Sequence, residues 1–400
     1  MVLGSSTVET PHGQSEAARP GLGSDLMNST LITPRHIVIR GVNWLGDAVM
    51  TTPAVLRLRE RFPEAQITLL CPEKLHDLWV SHPAVDAVQT FKTGERFLSV
   101  ARRLRSIDAD LAVIFPNSLR SALETWWAGI PRRVGLGGGL RSWLLTDGVR
   151  AVPGAVRMRK RTQAEVHRLT TTRTSPTAPR TAYPTGSHQL HHYLRLVGHL
   201  GANTEPVPPR LAAATTATQA MSTRLGALLT SGKPLIGLNA GAEYGPAKRW
   251  PLDRFAGSAR LLSERTGCHF VLFGGPADIP LAGELTHRLQ GLSVTSLAGQ
   301  TTLAELMAAL ALCRVVITND TGPMHLAAAL GVPVVVPFGS TSPELTGPGL
   351  PGDPRHHLLL GEAPCAPCFL RHCPVDFRCM QSISVDRAVH AALEALARNP

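Results

Sequence analysis

An α/β fold with two parallel sheets is predicted for this chain of 400 residues. Short apolar segments typical of buried strands alternate with longer segments in which apolar residues recur every three to four positions. The alternation occurs twice, over 36–128 and 235–338, and a stretch containing several Gly and Pro residues over 201–209 lies between. The sequence therefore predicts two Rossmann-like domains, each long enough for its own core, which bind ligands beyond the carboxyl ends of their strands.

The first half is expected to open with strand His36–Arg40, followed by a loop over 41–46 and a helix over 47–61. Residues 150–187, rich in Thr, Arg and Pro, have no hydrophobic period and predict a long basic loop. The remaining elements are predicted to be strands at 67–71, 85–91 and 110–115 and helices at 118–128 and 189–200.

The second half repeats the alternation more regularly. Leu303, Leu306, Met307 and Leu310, for example, share one face of a predicted helix. The last helix, over 385–398, is expected to pack back across the junction between the domains. The other predicted elements are strands at 235–239, 269–273, 294–297, 315–319 and 334–338 and helices at 252–265, 279–289, 303–312 and 323–330.

These patterns divide the chain into four predicted segments. They are a disordered leader over 1–34, a first domain over 35–210, a second domain over 211–385 and a C-terminal helix over 386–400. The sequence contains neither an apolar run of about 18 residues, which would predict a membrane span, nor a secretory signal. We therefore expect a cytoplasmic protein.

The formal net charge of +11 predicts anionic partners, and much of the excess lies in residues 150–180, with eight basic residues and one acidic residue. Nucleic acid, an anionic membrane surface and phosphorylated or sugar-acid substrates are the three candidate classes. Nucleic-acid binding would favour aromatic residues among the basic ones, and 150–180 contains no aromatic residue. We therefore expect no nucleic-acid partner.

A buried strand over 315–319 runs directly into a helix and predicts an anion site. Thr321 can cap the helix, and Gly322 lets a ligand approach the free amides and the positive end of the helix dipole. Asp320 is placed to bind sugar hydroxyls, and His325, one turn later, is expected to face the same crevice. A well-capped helix without a ligand is the alternative interpretation of this segment alone.

Two neighbouring loops are expected to reach the same edge of the sheet. Ser340 and Thr341 follow the strand over 334–338 and supply hydroxyl groups and amides. Lys248 and Arg249 follow a Gly-containing loop after the strand over 235–239, where cations could neutralise a departing nucleoside diphosphate. The alternative for these two cations is a solvated basic corner.

In the first domain, the loop after the first strand leads to Asp47 at the start of a helix. A carboxylate facing the cleft at this position could accept a proton from an incoming hydroxyl group. It could equally serve only as the N-cap of the helix. Asn43 and Gly46 of the same loop are expected on the acceptor side.

Four of the seven cysteines are clustered near the end of the chain, at Cys365, Cys368, Cys373 and Cys379. Four thiolates over this length resemble a zinc or iron–sulfur site, but the spacing matches neither the paired C-x2-C pattern of zinc nor the usual ferredoxin spacings. A structural metal is therefore the less favoured interpretation, and we expect no required cofactor.

Taken together, these segments resemble family 9 of the glycosyltransferases and, within it, the heptosyltransferase II group of lipopolysaccharide inner-core synthesis. The resemblance rests on four strings that occur in order: IVIRGVNWLGDAVMTTPAVLRLRERFP, GLNAGAEYGPAKRWP, NDTGPMHLAAALGVPVVVPFGSTSPELTGP and PCAPCFLRHCP. It covers residues 36–398, and residues 150–187 are longer and more basic than expected there.

The resemblance implies a GT-B fold and a metal-independent inverting transfer from ADP-heptose to a heptose-bearing Kdo-lipid A acceptor. It implies that Asp47 is the general base and that Lys248, with Arg249 beside it, binds the donor diphosphate. Asp320, Thr321, Gly322 and His325 match the donor motif, and Asp278 would hold the ribose hydroxyls. The basic surface would also keep the enzyme at the cytoplasmic face of the inner membrane.

Two alternatives remain at this point. Another family 9 transferase, of the heptosyltransferase I or III type, would share the donor motifs and differ in its acceptor. A basic nucleic-acid-binding protein without catalysis is the more distant alternative.

Overall fold

The computed structural model describes residues 33–150, 156, 158–172 and 183–398. The predicted leader over 1–34 lies outside the described residues apart from its last two positions. Parts of the predicted basic loop, 151–155, 157 and 173–182, also lie outside them.

The first sheet is built around strand β1, whose residues Ile37, Val38 and Ile39 are buried on both faces. It is parallel throughout, in the order β3-β2-β1-β4-β5-β6. The order changes direction between β1 and β4, as in a Rossmann fold. Its strands are β1 (His36–Arg40), β2 (Gln66–Pro72), β3 (Ala87–Phe91), β4 (Leu111–Ile114), β5 (Arg132–Leu136) and β6 (Asp147–Val149).

The helices of this half cover the sheet. They are α1 (Leu45–Arg61), α2 (His76–Trp79), α3 (Phe97–Arg105), α4 (Leu119–Trp127), α5 (Gln163–Thr172) and α6 (Gln189–Gly198). Helix α6 packs against α1. The sequence missed α2, α3 and strands β5 and β6, because α2 is only four residues long, α3 and β5 are interrupted by Arg, and β6 is a three-residue edge strand that contains Gly.

The second sheet repeats the topology of the first. Its order is β12-β11-β10-β7-β8-β9, so the change of direction lies between β7 and β10. All of its pairs are parallel. Its strands are β7 (Leu235–Asn239), β8 (His269–Leu272), β9 (Val294–Ser296), β10 (Val315–Thr318), β11 (Val334–Phe338) and β12 (His357–Leu360).

Two helices of the second half begin or end at the capping residues that their sequence predicts. Thr302 and Glu305 form a capping box before α11, and Gly267 ends α9 with a left-handed φ of 63°. The helices are α7 (Thr215–Arg224), α8 (Gly226–Leu229), α9 (Leu252–Thr266), α10 (Ile279–Arg288), α11 (Leu303–Ala311), α12 (Gly322–Ala329), α13 (Pro343–Thr346), α14 (Arg378–Gln381) and α15 (Val385–Arg398).

Two expectations need correction. The segment over 150–187 is not a continuous loop, because α5 forms within it: Arg161 pairs with Glu165 in the first turn, and Val166 is buried against the second half. The last helix, α15, packs against α9 and strands β10, β11 and β12 instead of crossing the junction. Its buried face consists largely of Ala, which lets it lie close to the second sheet.

Candidate active site

A cavity of about 460 Å³ is lined by loops from both sheets. Several of these loops follow β1, β7 and β10, the strands on either side of the two changes of strand order. Such positions are where open parallel sheets bind their ligands. The lining residues include Trp44, Leu45, Gly46, Asp47, Met158, Lys160, Gln189, Glu243, Tyr244, Lys248, Asp320, Thr321, Gly322, His325, Thr341, Phe369 and Arg371.

Asp47 is half-buried in this cavity and is the third residue of α1. The N-cap position belongs to Trp44, so the carboxylate of Asp47 is not the N-cap. Burial raises the pKa of Asp47 to about 6; the charge of Lys248 opposes this shift, and that of Asp320 adds to it. A carboxylate with this pKa is ionised at neutral pH and still basic enough to accept a proton.

Lys248 and Asp320 form an ion pair in the wall opposite. The Nζ atom of Lys248 lies 2.7 Å from Oδ2 of Asp320, and both side chains are largely buried. The hydroxyl group of Thr341 donates to the same oxygen at 2.6 Å. The buried carboxylate is thus compensated by a cation and a hydrogen bond, as a buried charge requires.

Asn319, which the sequence did not single out, holds the loop after β7 against the loop after β10. Its side-chain oxygen accepts a hydrogen bond from the backbone of Trp250 at 2.9 Å, and its amide donates to the carbonyl of Ala240 at 2.8 Å. The residue is fully buried. Asn319 therefore keeps the loop of Lys248 next to the loop of Asp320.

Helix α12 begins at the cavity. Thr321 is at the N-cap position, but its side chain makes no capping hydrogen bond, contrary to its expected capping role. The amide of Gly322 and the dipole of the helix favour an anion here, whereas Pro323 has no amide hydrogen and the amide of Met324 donates to the carbonyl of Thr321. His325 is buried one turn later, and burial lowers its pKa to about 4, so its ring is neutral at physiological pH.

The starts of α1 and α12 touch through two glycines. A Cβ atom on Gly46 would lie 2.6 Å from Cδ2 of His325, and one on Gly322 would lie 2.7 Å from Cδ2 of Leu45. Neither position has room for a larger residue without a shift of its neighbour. Because the two helix starts are in contact, the carboxylate of Asp47 lies near enough to Lys248 and Asp320 for their charges to act on it.

Four predicted site residues do not line the cavity: Asn43, Arg249, Asp278 and Ser340. Asp278 accepts a hydrogen bond from the amide of Gly275 at 3.1 Å and packs against Gly241. Ser340 acts through its backbone carbonyl, which accepts from the amides of Cys368 and Phe369. Their predicted contacts with the substrates therefore stay predictions.

Sequence reasoning missed several residues that line the cavity. Tyr244 lies in the same string as Lys248, but nothing in the string marks it as part of the lining. Lys160 and Arg371 belong to segments far away in sequence and meet at the cavity only in the fold. Only the basic character of 150–180 indicated that an anion contact lies there.

Three of the four clustered cysteines, Cys365, Cys368 and Cys373, lie in the loop before α14, and Cys379 lies in the first turn of that helix. Burial and the neighbouring cysteines raise the pKa of Cys365 to about 11 and that of Cys379 to about 12. Within the described ranges, no group of three or more His, Cys, Asp or Glu side chains could hold a metal ion. Through the backbone of Cys368 the loop also bonds to Arg161, just before α5, and to Ser340, just after β11.

Two Rossmann-like sheets around a cleft, with a carboxylate on one side and the start of a helix on the other, are typical of the GT-B glycosyltransferases. The profile of "Glycosyltransferase family 9 (heptosyltransferase)" matches residues 97–377. The chain belongs to this family and is a glycosyltransferase.

Two relatives illustrate how similar the chain is to characterised members. It is 31% identical over 328 residues to lipopolysaccharide heptosyltransferase 2 of Escherichia coli, covering 78% of this chain and 85% of the relative. It is 32% identical over 324 residues to lipooligosaccharide heptosyltransferase 2 of Haemophilus ducreyi, covering 78% and 85%.

Solved structures confirm the predicted GT-B fold. The structure of the E. coli ADP-heptose lipopolysaccharide heptosyltransferase II superposes with a TM-score of 0.68 at 26% identity and covers 91% of this chain and 99% of that one. A family 9 glycosyl transferase from Veillonella parvula superposes with a TM-score of 0.71 at 24% identity, covering 91% and 97%.

The glycine contact predicts a large effect of one methyl group. Gly46→Ala should lower kcat/KM for glycosyl transfer by about 10²-fold, because His325 or α1 must shift and a displaced reacting group costs on this scale. Gly283→Ala in α10, where a Cβ atom meets nothing within 4 Å, is the matched control. Equal activity of the two variants would contradict this role of Gly46.

The raised pKa of Asp47 predicts a stability change with pH. The folded protein binds the proton of Asp47 more tightly than the unfolded chain does. The free energy of unfolding therefore decreases as pH rises from about 4 to about 6, and above about 6 this loss of stability is complete. Asp47→Asn should therefore raise the free energy of unfolding by up to about 3 kcal/mol near pH 8 and hardly change it near pH 4.

Urea unfolding at both pH values measures this difference. Asp108→Asn, at an exposed carboxylate, is the control and should change stability little at either pH. A loss of stability in Asp47→Asn near pH 8 would show that the ionised carboxylate stabilises the fold.

Proposed function

We propose that the enzyme transfers L-glycero-D-manno-heptose from ADP-heptose to the first heptose of the Kdo-lipid A inner core, with inversion at the anomeric carbon. The observation that carries the proposal is the convergence of Asp47, Lys248 and the start of α12 on one cavity. Relatives named heptosyltransferase 2 support the choice of donor and acceptor.

Asp47 acts as the general base in this proposal. The acceptor hydroxyl oxygen forms a bond to the anomeric carbon while the bond from that carbon to the diphosphate oxygen breaks. The hydroxyl proton passes to Asp47, and the bonding electrons leave with ADP. Positioned bases of this kind contribute about 10²- to 10⁴-fold in rate.

Lys248 and the start of α12 stabilise the negative charge that develops on ADP. Lys248 is held by its ion pair with Asp320. Groups that need no reorganisation during the reaction stabilise a transition state most effectively. Thr321, whose side chain is not used in capping, can donate a further hydrogen bond to the diphosphate.

The enzyme is proposed to work in the cytoplasm at the inner membrane. None of the described helices is long and apolar enough to cross a bilayer. A surface that we call the tryptophan face, formed by α4 and residues 139–144, exposes Trp126, Trp127, Leu140 and Trp143.

Cations lie beside the tryptophan face. Arg105 of α3 donates to the carbonyl of Trp127 at 2.8 Å, and Arg102 is exposed on the same helix. Trp and Arg side chains are typical of protein surfaces that rest in the headgroup region of an anionic membrane. We propose that this face contacts anionic lipid.

The transfer proposal predicts a mass increase of one heptose. Wild-type enzyme should convert mono-heptosylated Kdo-lipid A in the presence of ADP-heptose, with kcat/KM falling as pH drops below about 6, when Asp47 takes up a proton. Asp47→Asn should lose at least about 10²-fold in kcat while binding ADP normally. Mass spectrometry and calorimetry measure the two effects.

Absence of transfer to this acceptor, combined with tight ADP-heptose binding, would contradict the acceptor and would leave the donor in place. Transfer to Kdo-lipid A that carries no heptose would indicate heptosyltransferase I activity. An unchanged kcat in Asp47→Asn would contradict the general base.

The tryptophan face predicts binding to anionic vesicles. Replacing Trp126 and Trp143 with Ser should reduce co-sedimentation with phosphatidylglycerol vesicles about tenfold or more, because amphipathic rings would be lost from the interface. Trp44→Ser is the matched control, since Trp44 is 44% exposed and Trp126 is 45% exposed. Equal binding of the double variant and the control would contradict the proposed face.

A further inference from the structure

Three cations surround one aromatic ring in the cavity. Nζ of Lys248 lies 5.0 Å from the centroid of the Tyr244 ring, Cζ of Arg371 lies 5.1 Å from it and Nζ of Lys160 lies 5.9 Å from it. The three residues come from three distant segments of the chain. A cation at this distance from a ring is attracted by it, but the like charges repel one another.

The carboxylates of the cavity do not neutralise all three cations. Asp320 pairs with Lys248, and Glu243 pairs with Lys74 at 3.3 Å. Over the ranges of the chain that the structure describes, no carboxylate forms an ion pair with Lys160 or Arg371. An anionic ligand between these two side chains would therefore relieve the repulsion.

Hydrogen bonds to the backbone hold the segments that carry these cations next to one another. The carbonyl of Arg371 accepts from the amide of Ala247 at 3.0 Å, and the hydroxyl group of Tyr244 donates to the carbonyl of Phe369 at 2.8 Å. The amide of Arg161, next to Lys160, donates to the carbonyl of Cys368 at 3.0 Å. Hydrogen bonds thus join three segments: the basic segment at Arg161, the cysteine loop over 365–373, and the loop after β7 that carries Tyr244.

The donor contacts proposed above use neither Lys160 nor Arg371. The diphosphate already meets Lys248 and the start of α12 in the proposed function. Lys160 shares the lining with Gln189, whose side chain donates to the hydroxyl group of Tyr193 at 2.7 Å. The charge of Asp47 acts on that hydroxyl group and contributes to the raised pKa of Tyr193, so this wall adjoins the proposed base.

We infer that Lys160 and Arg371 form a second anion subsite, which binds a carboxylate or phosphate group of the sugar acceptor. The inference rests on the proposed function and adds a determinant of acceptor specificity to it. Kdo-lipid A carries both kinds of group, the carboxylates on Kdo and the phosphates on lipid A. Charge-assisted hydrogen bonds from Lys and Arg bind either one.

The experiment compares Lys160→Gln and Arg371→Gln with wild-type enzyme. A water-soluble, deacylated, mono-heptosylated acceptor is titrated into the ADP-bound enzyme by calorimetry, and its KM is measured with ADP-heptose. Each variant should weaken acceptor binding and raise the acceptor KM about tenfold. The Kd for ADP and kcat should change less than about twofold.

Arg159→Gln is the matched control. Arg159 lies next to Lys160 and pairs with Glu165, but it does not line the cavity. The Arg159→Gln substitution removes one positive charge from the same segment and should leave the acceptor KM within about twofold of wild type. An effect equal to that of Lys160→Gln would mean that general attraction, and not a subsite, is at work.

Two further outcomes would overturn the inference: ADP binding weakened as much as acceptor binding, which would assign the cations to the donor, and no change in either. Two modified acceptors identify the bound group: one has its carboxylates esterified, and the other lacks its phosphates. Wild-type enzyme should bind the acceptor that has lost the recognised group as weakly as the variants bind the unmodified acceptor. Acceptor binding needs no turnover, so failed transfer with intact, Lys160-dependent binding would contradict the proposed function alone.

Discussion

The contact between the starts of α1 and α12 is the constraint on which the site depends. Gly46 lies against His325 and Gly322 lies against Leu45, so the loop after β1 and the loop after β10 meet without a side chain between them. Each sheet contributes one side of the cavity: the first carries the carboxylate of Asp47, and the second carries α12, whose first turn lines the opposite wall. The two glycines let these halves share one cavity.

Electrostatic balance across that contact sets the state of each group. Burial outweighs the attraction of Lys248 and raises the pKa of Asp47, whereas the more deeply buried Asp320 has both a cation and a hydroxyl group as partners. Two carboxylates in one cavity thus have different environments and can perform different tasks, one as base and one as anchor for the cation. Lys248 pairs with Asp320 and also lines the cavity.

Much of the fold was predictable because the central strands are continuous apolar runs: β1, β7 and β11 occupy the predicted positions. Two edge strands, β6 and β12, and helix α5 were missed, since tertiary contacts and not local patterns stabilise them. Asp47, Lys248 and Asp320 were identifiable because each follows a buried strand. Tyr244 and Arg371 were not, because their proximity arises only from the folding of distant loops.

The basic segment shows why charge composition alone misleads. A run of Arg, Lys and Thr without a hydrophobic period is typical of a solvated loop, yet Val166 is buried and Arg161 donates to the cysteine loop through its backbone amide. The cysteine loop in turn donates to the carbonyl of Ser340 behind the donor site. These hydrogen bonds join the basic segment to the loop after β11, whose Thr341 lines the cavity, so a segment that looks solvated in the sequence is part of the framework around the site.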